Sequence, residues 1–226
     1  MTQNTVLAVT LAAGLCLAAP AAHATPLISI GLQEAGFNSG GITTVANDGG
    51  IGTVSYAGGY GTFFSNSITV YGAPNYNTEG NLDTSDTSFS STAAGTLSIW
   101  ITQTGLTSPV GSGQFASNLA SNILRGRVTR AELITYIDPA NNLYTGTILS
   151  DVVFTGLSTS SITLNSPALP GAYSLTQEYI ITATAGATTS STQDNISTAY
   201  VPEPASILLM GLGLAGLGIV RRKRRG

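Results

Sequence analysis

The chain reads as an all-β protein, an antiparallel β-sandwich of jelly-roll or immunoglobulin-like form, and three observations predict it. Apolar residues recur with period two. In 95–102, Leu97, Ile99 and Ile101 alternate with Ser98, Trp100 and Thr102, the pattern of a half-buried strand. Turn-forming clusters punctuate such runs: Asn47-Asp48-Gly49-Gly50, Gly72-Ala73-Pro74-Asn75, Asp138-Pro139-Ala140-Asn141-Asn142 and 167–171. Strong helix formers are scarce, while Thr, Ser, Gly and Asn dominate.

Taken in order, β-branched or aromatic runs at 27–32, 51–60, 62–71, 95–102, 131–137, 145–154, 161–164 and 173–185 predict about eight short strands. A jelly roll and an immunoglobulin-like sandwich share this signature, and strand order is not readable from it. One segment departs from the alternation. Phe115, Leu119 and Ile123 stand at i, i+4 and i+8 in 114–124 and predict a short helix between strands. The polar stretch 187–198, ATTSSTQDNIST, reads as a final loop or flexible tether.

The expected organisation is a signal peptide over 1–24, one β-sandwich domain over 25–186, a tether over 187–200 and a terminal segment over 201–226. At the N-terminus an apolar run, 6–19, is broken by Pro20. Ala22-His23-Ala24 then supplies the small-x-small pattern that signal peptidase accepts, with Ala22 and Ala24 as the recognised positions. No Lys or Arg precedes the run, so the positive n-region rests on the α-amino group. Leu15 before Cys16 argues against a lipoprotein signal, which wants a small residue there.

At the other end, Val201-Pro202-Glu203-Pro204 leads into sixteen uncharged residues, 205–220, and then Arg221, Arg222, Lys223, Arg224 and Arg225. As a helix the apolar run spans roughly 24 Å, short of the ~30 Å hydrocarbon core, a deficit that snorkelling of Arg221 and local thinning would cover. The basic stop places the C-terminus in the cytoplasm and the domain outside. Gly211-Leu212-Gly213-Leu214-Ala215-Gly216 matches the dinucleotide-binding pattern, but no acidic residue follows it. Its glycines suit close packing of a membrane helix instead.

Between these ends the reactive inventory is narrow. The single Cys (Cys16) and single His (His23) both lie in the leader, so the domain excludes disulfides, thiol catalysis, Cys/His zinc sites and a Ser-His-Asp triad. Ten acidic residues face three basic ones, Arg125, Arg127 and Arg130, a net charge of −7 with no lysine. Nucleic-acid binding needs basic phosphate contacts and is excluded on charge.

Three groups are candidate sites. Glu79, Asp83 and Asp86, three or four residues apart in a Gly/Asn/Thr setting, are candidate Ca²⁺ ligands. Calcium takes six to eight oxygens, however, and no D-x-D-x-D-G pattern is present, so a solvated turn is the competing reading. Arg125 and Arg127 would share a strand face and are candidates for an anionic sugar. Alternatively, with Arg130, they neutralise acids such as Glu132 or charge a sheet edge. Tyr56, Tyr60, Tyr71, Tyr76 and Trp100 are candidate stacking platforms for sugar rings or, equally, core fillers; Trp100 stands opposite the Leu97/Ile99/Ile101 face, so one of the two faces is buried. No motif fixes the facing carboxylate pair that a glycosidase requires, and no catalysis is expected. Asn195-Ile196-Ser197 is a glycosylation sequon in form only.

The terminal residues 201–226 closely resemble the PEP-CTERM sorting signal of Gram-negative bacteria that make exopolysaccharide. The alternative is a plain single-pass anchor with an accidental Pro-Glu-Pro. The resemblance implies an inner-membrane precursor, recognition of Val201, Pro202, Glu203 and Pro204 by an exosortase-type membrane protease, and a cell-surface or extracellular-matrix fate. The stretches AGTLSIWITQTG (94–105) and GAYSLTQEYII (171–181) resemble all-β domains that precede such tails, a likeness that transfers no activity. The expected role is a structural or adhesive component of the surface or exopolysaccharide matrix. A carbohydrate-binding module is the alternative, and a glycan hydrolase stands behind both.

Overall fold

A computed structural model describes residues 25–109, 111, 114–121, 127–154, 158–188 and 193–199. The segment expected to be a signal peptide, 1–24 with Ala22 and Ala24, lies outside the described residues, as do Arg125 and the whole of 201–226. Among the described residues no helix is long and apolar enough to cross a membrane.

The described chain is all-β, with twelve strands: β1 Leu27–Glu34, β2 Thr43–Asn47, β3 Thr53–Tyr60, β4 Phe63–Tyr71, β5 Leu82–Ser91, β6 Gly95–Leu106, β7 Gln114–Ser121, β8 Val128–Asp138, β9 Thr147–Phe154, β10 Ser158–Asn165, β11 Tyr173–Ala183 and β12 Gln193–Ala199. They form two six-stranded antiparallel sheets. The front sheet runs β2-β1-β6-β11-β8-β9 and the back sheet β10-β7-β12-β5-β4-β3. From β5 onward the chain crosses repeatedly between sheets, so most neighbours within a sheet are distant in sequence.

Alternation sets which side chains meet between the sheets. Leu97, Ile99 and Ile101 of β6 point inward with Ile28, Ile30 and Leu32 of β1, against Ile68 and Val70 of β4 and Leu82 and Phe89 of β5. A second apolar cluster at one end gathers Leu106, Phe115, Ile137, Tyr173, Leu175 and Ile196. Between the two clusters lies a buried polar belt. Gln177 accepts from the Thr84 hydroxyl at 2.8 Å and donates to the Leu82 carbonyl at 3.2 Å. Gln103 donates to the Ala73 carbonyl at 2.7 Å, and Thr135 pairs with Ser150 at 2.6 Å. The glutamine bonds tie the sheets together at one register.

Two expectations are corrected. The segment expected to be helical, 114–124, holds β7, paired with β10 and β12. Offsets of four are even, so positions i and i+4 share a face in a strand just as in a helix, and that spacing does not tell the two apart. Ile123 lies outside the described residues. The expected tether, 187–200, contains β12, which sits between β7 and β5 in the back sheet. Sheet hydrogen bonds and the fully buried Ile196 hold this polar strand in place.

Candidate functional site

The outer face of the front sheet concentrates side chains that a solvated sheet does not need. Antiparallel registry puts Trp100 of β6 opposite Glu178 of β11, Glu178 opposite Ile134 of β8, and Ile134 opposite Asp151 of β9. Two residues along β8, Tyr136 reaches back over β11. Its ring stacks on Trp100 with centroids 5.8 Å apart and planes 26° apart, and its hydroxyl donates to Glu178 Oε2 at 2.6 Å. The Trp100 indole N–H donates to Gln33 Oε1 at 3.1 Å. Trp100 therefore stands on the opposite side of the sheet from Leu97, Ile99 and Ile101, which fill the core; the indole itself is half-buried.

The β8–β9 loop completes the face. Asp138 anchors it, accepting from the backbone N–H groups of Ala140 (2.9 Å) and Asn142 (3.0 Å) and from the Asn142 amide (2.8 Å). The loop then crosses the sheet: Asn141 Oδ1 accepts from Gly105 N–H, and Tyr144 N–H donates to the Thr102 hydroxyl. Tyr144 hydrogen-bonds Thr44 across the sheet at 2.9 Å and meets Trp100 edge-on at 6.4 Å. Gly31 leaves the room for that ring, since a β-carbon there would lie 2.8 Å from Tyr144 Cζ. Tyr144, Trp100 and Tyr136 so form one aromatic strip across β6, β11 and β8.

Carboxylates line the strip. Burial pushes Glu178 above the usual carboxylate range, the Tyr136 and Ser98 hydroxyls partly oppose this, and the Asp151 charge adds to it. Glu132, two residues along β8 from Ile134, is likewise raised, by burial first and then by its hydrogen bond with Asp151, while Arg130 pulls the other way. Burial and the Glu178 bond together raise Tyr136, which keeps its proton. Among the described residues no three His, Cys, Asp or Glu side chains converge to hold a metal ion.

The sequence-level candidates separate. Trp100 joins the strip. Glu79 is bound by Thr107 and Ser108 N–H at 2.5 and 2.7 Å. Asp83 accepts from Asn77 at 2.9 Å, and Asp86 pairs with Thr69 in β5. Glu79 and Asp83 thus each hold hydrogen-bond partners of their own, and the side chain of Asp86 lies outside what the structure describes. Arg127 is pinned to the turn after β11, its guanidinium donating to the Ala185 carbonyl and its own carbonyl accepting from Thr184 N–H at 2.8 Å. Arg130 pairs with Glu132 at 2.7 Å. Tyr60 is buried and Tyr56 packs against the core, whereas Tyr76 is 57% exposed. Tyr136, Tyr144 and Glu178 escape a reading of the sequence. The signal for Glu178 was a lone acid inside a strand otherwise free of charge; nothing local marks the two tyrosines, which the loop and sheet registry assemble.

Comparison with known proteins adds one specific match: residues 201–225 fit the PEP-CTERM protein-sorting motif. The chain thus carries that motif, which implies export, a membrane-anchored precursor and processing by an exosortase. No curated protein sequence matches the chain. Among solved structures, the enzymatically active domain of bacteriophage CBA120 tailspike protein 4 aligns at 12% identity and TM-score 0.30, over 65% of this chain and 19% of that one. Isomalto-dextranase of Arthrobacter globiformis T6, complexed with panose, aligns at 14% identity and TM-score 0.27, over 74% of this chain and 30% of that one. This chain spans less than a third of either, and similarity at this level carries no functional argument.

Proposed function

We propose that the domain is exported, released by cleavage near Pro202-Glu203-Pro204 and deposited at the cell surface or in exopolysaccharide, where it serves as a non-catalytic structural or adhesive component. β5–β12 wind between the two sheets in the order of a jelly roll, with β1–β4 extending one edge. On this frame the outer face of the front sheet is the glycan contact.

The observation that carries the reading is the Tyr144–Trp100–Tyr136 strip. Planar rings offer apolar faces to the C–H face of a sugar, and the exposed Asp151 carboxylate near them offers oxygens to hydroxyls. Retention of the full chain on immobilised exopolysaccharide tests it. Trp100→Ala lowers retention at least tenfold, whereas Arg127→Ala, whose guanidinium is already committed, leaves it unchanged. Retention equal to wild type in Trp100→Ala sinks the proposal.

One observation favours a glycan hydrolase as the second reading. Glu178 holds a proton more tightly than an ordinary carboxylate and lies beside Trp100, with Glu132 and Asp151 nearby, as a general acid and its partner would. Reducing-end release from the same polysaccharide, lost in Glu178→Gln, would replace the non-catalytic reading.

A further inference from the structure

A second surface answers the same chemistry at another place. The β4–β5 loop, with Ser108 of the β6–β7 connection, encloses an open groove of about 780 Å³ whose lining includes Asn75, Tyr76, Asn77, Thr78 and Glu79. The loop is held stiff. Gly72 N–H donates to Gly52, and the N–H groups of Tyr76 and Asn77 both donate to the Gly72 carbonyl, at 3.2 and 3.1 Å. The Asn75 amide donates to the Ile51 carbonyl at 2.9 Å, the Asn77 amide to the Tyr71 carbonyl at 3.2 Å, and Gln103 to the Ala73 carbonyl from inside the core. On this frame Tyr76 is displayed 57% exposed, its ring backed by Tyr71 with centroids 5.4 Å apart. A large aromatic held in water by a rigid, hydrogen-bonded loop loses little freedom when it binds.

The groove's charge narrows the ligand. Its one carboxylate, Glu79, is satisfied by two backbone N–H groups and the Thr107 hydroxyl, so it requires no cation. No basic residue lines the groove; its remaining polar groups are amides, hydroxyls and a phenol, with Ala73 and Pro74 beside them. Such a lining suits a neutral sugar and disfavours a uronate.

We propose that this groove is a second glycan-binding subsite, with Tyr76 as its stacking platform and neutral hexose polymers as its ligand class. It rests on the reading of the domain as a matrix glycan-binding protein and extends it. Gln103 points inward to hold the groove loop, while Trp100 points outward from the same strand, so the two contacts face different directions. One domain then engages two polysaccharide chains and bridges them.

The test uses the full chain against arrayed dextran, β-glucan and galactomannan, with alginate as the uronate control. Tyr76→Ala lowers retention on a neutral polymer about tenfold and Tyr76→Trp keeps it; both variants preserve the circular dichroism of the wild type, and Tyr76→Ala also preserves its Trp100 fluorescence. Wild type raises the low-shear viscosity of the retained polymer in solution, and either Tyr76→Ala or Trp100→Ala abolishes the rise. If Trp100→Ala weakens binding and Tyr76→Ala does not, the subsite is overturned while the Trp100 face stands. If only Tyr76→Ala weakens it, the subsite stands and the Trp100 face falls. Retention of alginate alone, or of no polymer, overturns the subsite.

Discussion

The carboxylate of Glu34 occupies the space where a side chain on Gly61 would stand: a β-carbon at Gly61 would lie 1.8 Å from Glu34 Oε2. Glu34 closes β1 and is 5% exposed, and Gly61 turns the β3–β4 hairpin at φ +58°. The carboxylate accepts from Thr62 N–H at 2.9 Å and from the Thr62 hydroxyl at 2.5 Å, so an edge hairpin of the back sheet is bolted to the front sheet by one acid. Gly61→Ala meets both the left-handed backbone and the carboxylate, and costs about 3 kcal/mol. Glu34→Ala strands the turn's donors and costs about 2 kcal/mol. Urea unfolding measures both; a Gly61→Ala midpoint equal to wild type would remove Glu34 from this role.

That relationship also shows where the sequence stops being legible. Strands built on Leu, Ile and Val alternation, β1, β4, β6 and β11, announce themselves. β5 does not, because Thr84 and Thr87 take inward positions beside Leu82 and Phe89 and a register shift between Thr69 and Val70 of its partner breaks the period. β12 carries one apolar anchor, Ile196, and is recognisable as a strand only once β5 and β7 flank it. For the site, Trp100 is visible as an outlier in its strand. Tyr144 reaches it only through a loop whose path is set by Asp138, Asn141 and the missing side chain of Gly31, and contacts of that range leave no local pattern.

The Gly31–Tyr144 contact gives a spectroscopic handle, since Trp100 is the single tryptophan of the chain. Gly31→Ala drives a methyl against Tyr144 Cζ and Ile42 Cγ2, both at 2.8 Å, and displaces the ring from the strip. Trp100 emission shifts to the red as the edge-on contact is lost, and Tyr144→Ala gives the same shift without the strain. Unchanged emission in both variants would show that Tyr144 does not cover Trp100 in solution.

The polar belt predicts a coupling between sheets. Gln177→Ala removes the partner of the Thr84 hydroxyl and the Leu82 carbonyl in a fully buried position, and costs about 3 kcal/mol. Gln177→Met with Thr84→Val replaces one bonded pair by apolar groups of similar volume and recovers part of that loss. A double-mutant cycle on unfolding free energy reads the coupling, and strictly additive losses would deny that the two side chains act as a pair.

Opposite pKa shifts on the front sheet predict a stability maximum with a distinct cause on each limb. Burial raises Asp138, but the backbone N–H groups of Ala140 and Asn142 and the Asn142 amide outweigh it and leave the carboxyl below its ordinary value. Its contribution is full above the ordinary carboxylate pKa and is lost as pH falls toward the lower folded value. Glu178 and Glu132 are raised, so the folded state binds their protons more tightly than the unfolded chain. Their contribution is full below the ordinary value and is lost as pH rises through the folded ones. Asp138→Asn therefore flattens the acid limb of the unfolding free energy, and Glu178→Gln with Glu132→Gln flattens the descent on the other side. Denaturation series across both limbs separate the two, and a Glu178→Gln/Glu132→Gln variant that keeps the full descent would mean these carboxyls titrate normally and that the strip does not desolvate them.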